Sequence, residues 1–141
     1  MTGARSTAVD DGDVPGDASR CPCGSGDVFG GCCGPLLAGS PAPTAERLMR
    51  SRFTAFALHD ASYLRASWHE STRPMTIDFD DDLVWKRLVI VDRVAGGPFD
   101  REGVVEFEAF FREGAERGSL RERSRFVREG RSWLYLDGQV G

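Results

Sequence analysis

Residues 21–34 read Cys-Pro-Cys-Gly-Ser-Gly-Asp-Val-Phe-Gly-Gly-Cys-Cys-Gly, and this stretch contains every cysteine of the 141-residue chain. A loop rich in glycine separates two close pairs of cysteines, which lets the chain turn back on itself. Four thiolates brought together in this way can complete the tetrahedral coordination of one Zn²⁺ ion, and a site closed by four protein ligands is structural. The stretch therefore predicts a zinc knuckle whose ligands are Cys21, Cys23, Cys32 and Cys33.

Two other states of these cysteines compete with zinc. A disulfide within either pair would need strained geometry, so any disulfides would have to cross the loop. Residues 1–20 are acidic and carry no apolar segment of the kind found in a secretory signal. We therefore expect a cytoplasmic protein, and disulfides are rare in that reducing compartment. The second alternative is another metal or four free thiols. Soft sulfur ligands at this spacing favour zinc over that alternative.

The composition limits the partners that we expect. The protein is acidic, with a net charge of −4 and a pI near 5.2. A nucleic-acid partner is therefore not expected, because proteins that bind nucleic acid usually carry a basic surface. The longest apolar runs are far shorter than the roughly 20 residues that span a bilayer, so we expect no membrane segment.

The chain divides into four segments by composition. Residues 1–20 are small and acidic and predict a disordered tail. The knuckle occupies residues 21–34, and the prolines of residues 35–43 indicate a linker. Residues 44–141 are long enough to form one packed domain.

This domain is predicted to begin with two helices. Thr44 is a good N-cap for a helix whose apolar residues recur at helical spacing, and Asp60 can cap a second helix. The acidic run at residues 78–82 predicts a cap for a short helix near residues 83–86.

Four segments then have the composition and alternation of β-strands, at residues 88–94, 104–111, 120–128 and 133–137. Helices followed by a run of strands indicate an α+β fold. We expect the helices to cover one face of a curved antiparallel sheet and to leave a cavity between the two layers.

The knuckle resembles the SEC-C motif found at the C-terminus of the preprotein translocase ATPase. That resemblance implies docking on a protein partner or on the ribosome. Further runs extend a resemblance to the YchJ family of small bacterial proteins over residues 20–141. These runs are Leu-Met-Arg-Ser-Arg-Phe at 48–53, Ser-Trp-His at 67–69, Glu-Arg-Ser-Arg-Phe at 122–126 and Trp-Leu-Tyr-Leu-Asp-Gly at 133–138. The family implies a nuclear transport factor 2-like domain, a cone of helices on a curved sheet.

Five side chains are candidates for a pocket in that cone: Arg52, Trp68, His69, Arg123 and Ser124. His69 is the candidate for proton chemistry, with an ordinary capping histidine as the alternative. Arg123 could bind an anion or could pair with glutamates across the sheet. Since no catalytic constellation is evident, the sequence does not decide whether the chain is an enzyme.

Two functions follow from these observations. The favoured one is an interaction or adaptor module that docks through its zinc knuckle. The alternative is a small-molecule binder or enzyme that uses the cavity between helices and sheet. Filling of that volume by Phe107, Phe126 and Trp133 would count against the alternative.

Overall fold

The computed structural model describes residues 14–141, so most of the predicted tail lies outside the described residues. Residues 17–20, which we assigned to that tail, fold onto the knuckle instead. The Gly30 amide donates to the Asp17 carbonyl, and the Phe29 amide donates to the Ser19 carbonyl. Arg20 forms a β-bridge with Val28. The ordered knuckle therefore begins before Cys21.

Three α-helices precede the sheet: α1 at Cys33–Leu37, α2 at Ala45–Ala57 and α3 at Ala61–Ala66. Both predicted N-caps are confirmed, because Thr44 Oγ1 accepts from the Arg47 amide and Asp60 Oδ1 accepts from the Tyr63 amide. Helix α1 extends into the segment that we predicted to be a linker. Pro35 is tolerated there because it lies in the first turn, where an amide has no partner within the helix.

Four antiparallel strands follow, namely β1 at Leu83–Ala95, β2 at Glu102–Glu113, β3 at Glu116–Glu129 and β4 at Ser132–Val140. Their order in the sheet is the same as their order in the chain. The helix predicted near residues 83–86 is wrong, because these residues begin β1 and Leu83 pairs with Glu113. Pairing with β2 and the strand preference of Val84 and Trp85 outweigh the acidic run before them.

Register shifts interrupt the β1–β2 pairing twice and the β3–β4 pairing once. Such irregularities bend strands and increase their twist. Helix α2 packs on one face of this sheet, and the core lies between the two layers. The core includes Leu48, Met49, Phe53, Leu88, Val105, Phe107, Ala109, Phe126 and Trp133. The predicted α+β architecture is thus confirmed.

The chain after α3 reaches β4, where Trp68 forms a β-bridge with Tyr135. The Tyr135 amide donates to the Ser67 carbonyl, and the His69 amide donates to the Tyr135 carbonyl, both at 2.8 Å. These bonds hold Trp68 beside Tyr135, with their ring centroids 5.0 Å apart.

The cap at the start of α2 gives a first testable prediction. Thr44→Ala removes the acceptor for the Arg47 amide and should lower the free energy of unfolding by about 1 kcal/mol. Urea denaturation followed by circular dichroism measures the change. Thr76→Ala, at an exposed position before β1, is the matched control and should have almost no effect. Equal effects of the two substitutions would contradict the role of this cap.

Candidate functional site

The four cysteine sulfurs lie within 4.8 Å of one another, and all four side chains are buried. Cys23 Sγ is 3.6 Å from Cys32 Sγ, which is 4.0 Å from Cys33 Sγ. Four sulfurs bound to one zinc at ~2.3 Å would be about 3.8 Å apart, whereas bonded sulfurs are ~2.05 Å apart. The four thiols are free. Their geometry fits a tetrahedral metal site and does not fit disulfides.

The knuckle backbone brings the two cysteine pairs together through turns. The Gly24 amide donates to the Cys21 carbonyl, and Gly24 has a φ of 79°, which favours glycine. A single turn of 3₁₀-helix at Phe29–Gly31 then leads into Cys32. The Phe29 ring is buried among the cysteines and fills the interior of the loop.

Hydroxyl groups surround the sulfurs. Ser25 Oγ lies 3.2 Å from Cys32 Sγ, and Thr54 Oγ1 donates to Cys33 Sγ over 3.3 Å. Hydrogen bonds of this kind stabilise thiolates that bind a metal. Thr54 belongs to α2, so one of these contacts comes from outside the knuckle.

The cysteines also perturb one another. A hydrogen bond from Cys33 lowers the pKa of Cys23 to about 4, and the same bond, together with burial, raises the pKa of Cys33. Burial raises the pKa of Cys32. One thiolate is therefore favoured and further ones are disfavoured, because several negative charges in one buried cluster are costly unless a cation compensates them. The donor set is therefore suited to a metal cation.

Two arginines of α2 attach the knuckle to the helix. Arg50 Nη1 donates to the Cys23 carbonyl over 3.0 Å, and Arg47 Nη2 donates to the Cys32 carbonyl over 3.4 Å. Arg50 is also paired with Glu46 at 2.9 Å. Contacts between these arginines and the knuckle are not evident from the sequence, because flanking arginines on an amphipathic helix are most often solvated.

A cavity of about 240 Å³ lies between α2 and the inner face of the sheet. Phe107 forms part of its wall, whereas Phe126 and Trp133 are packed in the core. These three side chains therefore leave the predicted cavity open. Its walls are mostly apolar, and the side chains with N–H or oxygen atoms are Arg52, Trp68, Trp85, Glu122 and Tyr135.

Arg52 is the most deeply buried charged group of this wall. Its Nη1 donates to the Leu64 carbonyl over 2.9 Å and to Ser67 Oγ over 2.7 Å. Its Cζ lies 4.8 Å from the ring centroid of Trp68 and 4.5 Å from that of Tyr135. Burial lowers the pKa of Arg52 to about 10, so the side chain is still cationic at neutral pH.

Glu122 is held in place by two hydroxyls. Ser124 Oγ donates to Glu122 Oε2 over 2.7 Å, and Tyr135 Oη donates to the same oxygen over 3.0 Å. Burial raises the pKa of Tyr135, so its hydroxyl keeps the proton that it donates. The cavity thus carries one fixed cation and one fixed carboxylate.

The structure brings together only some of the five predicted pocket residues. Arg52 and Trp68 line the cavity, and Ser124 is buried behind Glu122. Arg123 does not line it and lies on the opposite face of the sheet, because neighbouring residues of a strand point to opposite sides. The sequence analysis missed Glu122 and Tyr135, although a charged residue on the apolar face of a strand was a usable signal.

His69 also lies outside the cavity wall. The Ser71 amide donates to His69 Nδ1, and His69 Nε2 lies 2.8 Å from Glu129 Oε2. Ser71 and Glu129 are exposed. The contacts match the alternative that we gave for His69, a histidine that caps a polar loop.

The outer face of the sheet carries ion pairs between strands. Glu106 accepts from both Arg121 and Arg123 at 2.9 Å, and Arg123 also contacts Asp92 at 3.1 Å. The hydrogen bond from Arg121 is the main cause of a lowered Glu106 pKa. Cross-strand pairing, one of the two interpretations of Arg123, is therefore what the structure shows.

None of the helices described in residues 14–141 is long and apolar enough to cross a membrane.

Together, the fold and the site define a class of protein in which a four-cysteine knuckle precedes a nuclear transport factor 2-like α+β domain. The sequence profile described as the YchJ middle NTF2-like domain matches residues 44–138. The chain therefore belongs to the YchJ family.

Relatives and solved structures agree with this assignment. The chain is 47% identical to a UPF0225 protein of Streptomyces coelicolor, over 84% of this chain and 94% of the relative. It is 48% identical to a UPF0225 protein of Corynebacterium efficiens, over 86% of this chain and 93% of the relative. A SEC-C motif containing protein from Rhodopseudomonas palustris superposes with a TM-score of 0.76 at 34% identity, covering 86% of this chain and 98% of that chain. A SEC-C motif containing protein from Psychrobacter arcticus superposes with a TM-score of 0.71 at 25% identity, covering 89% of this chain and 84% of that chain.

Proposed function

We propose that Cys21, Cys23, Cys32 and Cys33 bind one Zn²⁺ ion as a structural centre. The four soft sulfur donors, their mutual distances and their burial support this choice of metal. Four protein ligands leave no open position, so the ion would hold the knuckle on α2 and would not act on a substrate. Free thiols of this kind suit a reducing compartment, which supports a cytoplasmic location.

The function that this geometry supports best is that of an interaction module, in which the knuckle docks on a protein partner, a ribosomal surface included. The observation that carries the proposal is the contrast between the buried sulfurs and the exposed loop around them. The side chain of Val28 on that loop is 47% exposed. A loop that a metal already holds rigid loses little conformational entropy when it docks.

Val28→Asp tests this proposal with little risk to the fold. Val28 is the N-cap of the Phe29–Gly31 turn and has extended backbone angles, a position that aspartate favours. Affinity capture from native lysate should lose its specific partners with this variant and with Cys32→Ser/Cys33→Ser. Zinc content and circular dichroism of each variant are measured first.

The matched control for the capture experiment is Val140→Asp, because Val140 is 68% exposed near the end of β4. This control should retain the partners. If the double cysteine variant loses its zinc, keeps the main domain folded and still captures every partner, the docking role of the knuckle is wrong.

A second candidate function is small-molecule binding in the cavity beneath α2. The observation that favours it is an open volume whose wall contains a buried guanidinium and a fixed carboxylate. If Arg52 served packing alone, an apolar side chain of similar volume could take its place at little cost in stability.

A further inference from the structure

Arg52 is buried without an acidic partner in contact. Only 2% of its surface is exposed, and both acceptors of its Nη1 group are neutral oxygens. The ion pairs formed within residues 14–141 do not include Arg52. A buried cation in this state is costly, because it has lost most of its water and no carboxylate contacts it. Glu122, in the same cavity wall, favours the charged form of Arg52 only through space.

The hydrogen bonds of Arg52 also leave one side of the guanidinium free. A guanidinium has five N–H donors in a planar fork, and Nη1 supplies two of them. Within the described part of the chain, the hydrogen bonds of Arg52 come from Nη1 alone. The Nε and Nη2 donors form the edge that binds a carboxylate through two parallel hydrogen bonds.

A second donor at the same cavity is unmatched. Trp68 lines the cavity, and its Nε1 is buried without a hydrogen-bond partner among the described residues. The rings of Trp68 and Tyr135 lie close to the Arg52 guanidinium, so they hold its plane in place while adding no acceptor. Unmatched donors on neighbouring side chains indicate a ligand that brings acceptor oxygens.

The rest of the wall limits the size and charge of that ligand. Apolar side chains such as Phe53, Phe56 and Trp85 cover most of it, and its volume of about 240 Å³ suits one ring or a short branched chain. This volume lies below the roughly 300–1,000 Å³ of pockets for drug-sized ligands. Glu122 would repel a second negative charge on the ligand.

We infer that the cavity binds a small monocarboxylic acid with an aromatic or branched aliphatic body, whose carboxylate contacts Arg52 and whose apolar part lies against the phenylalanines. This inference rests on the second proposed function and adds to it the class of ligand and the group that recognises it.

The test uses two probes of nearly the same shape, 3-phenylpropanoate and its neutral amide 3-phenylpropanamide. Each is titrated into the zinc-loaded full chain, and binding is followed through the indole N–H signals in ¹H–¹⁵N spectra. Loss of one signal in Trp68→Phe assigns that of Trp68. The carboxylate should shift the Trp68 signal and bind about tenfold or more tightly than the amide, because only the carboxylate forms charge-assisted hydrogen bonds.

Glu122→Gln gives the sharper variant, since it removes a negative charge from the wall. The amide oxygen of glutamine can still accept from Ser124 and Tyr135, so the fold is expected to persist. This variant should bind 3-phenylpropanoate at least about threefold more tightly and leave the affinity for 3-phenylpropanamide unchanged. Arg52→Lys keeps the charge but loses the fork, and should weaken carboxylate binding about tenfold.

The outcomes distinguish failure of the carboxylate assignment from failure of small-molecule binding in general. Equal affinities for both probes, unaffected by Glu122→Gln, would overturn the carboxylate assignment and leave small-molecule binding standing. An unmoved Trp68 signal with both probes at millimolar concentration would overturn the inference and the second proposed function together.

Discussion

Cys33→Ser should abolish binding of the proposed zinc ion and weaken the attachment of the knuckle to α2. Cys33 Sγ is a member of the buried sulfur cluster and accepts from Thr54 of the helix, so the substitution disrupts the metal site and a contact with the main domain together. Loss of a structural metal is among the few single changes that exceed about 4 kcal/mol in the free energy of unfolding. We expect the free energy of unfolding of the knuckle to fall by that amount and that of the sheet to fall by less.

Two measurements check this expectation. Native mass spectrometry should find one zinc per wild-type chain and none in Cys33→Ser, and chemical denaturation should show the loss of stability. Ser25→Ala is the matched control, because it removes a hydroxyl beside Cys32 but keeps all four ligands. This control should keep its zinc and lose about 1 kcal/mol. A Cys33→Ser protein with wild-type zinc content and stability would refute the assigned ligand set.

Phe126→Ala should lower the free energy of unfolding by about 3–5 kcal/mol, the range seen when a fully buried aromatic ring is deleted. Phe126 is 1% exposed on the inner face of β3, and its ring contacts that of Tyr135 at a centroid distance of 5.7 Å. The core that contains Phe126 is separate from the cysteine cluster. The variant should therefore retain its zinc.

The matched control is Phe99→Ala, which deletes the same ring from a turn where it is 93% exposed. Its effect should stay within about 0.5 kcal/mol. Urea denaturation of the three proteins, with zinc measured in each, distinguishes loss of core packing from loss of metal. Similar losses from Phe126→Ala and Phe99→Ala would show that the layer between α2 and the sheet is not the main core.

Features that depend on neighbouring residues could be predicted from the sequence. Thr44 and Asp60 were identified as caps because a cap needs only a side-chain acceptor next to the first turn of its own helix. The four cysteines could be grouped because both pairs lie within one short loop. The strand segments were found from alternation, which is also a local property.

Features that depend on distant contacts could not be predicted in the same way. Leu83 begins a strand because Glu113 pairs with it, and nothing near residues 78–82 announces that pairing. The predicted pocket combined Arg123 with Ser124, although successive residues of one strand face opposite layers. Applying the same alternation to β4 from the buried Trp133 would have pointed to Tyr135 as an inward residue.

The order of the elements along the chain has a consequence for synthesis on the ribosome. The cysteine cluster and α2 are close in sequence, so Thr54 can reach Cys33 as soon as both have left the exit tunnel. Leu36 and Ala42 cover only part of the apolar face of α2. The strands that cover the rest follow α2 in the chain and are made later. Adjacent strands pair in chain order, and short turns at residues 114–115 and 130–131 join the last three. Closing short loops costs little entropy. The nascent chain therefore carries a knuckle already in contact with α2, and a helix whose apolar face is only partly covered, until the strands have been made.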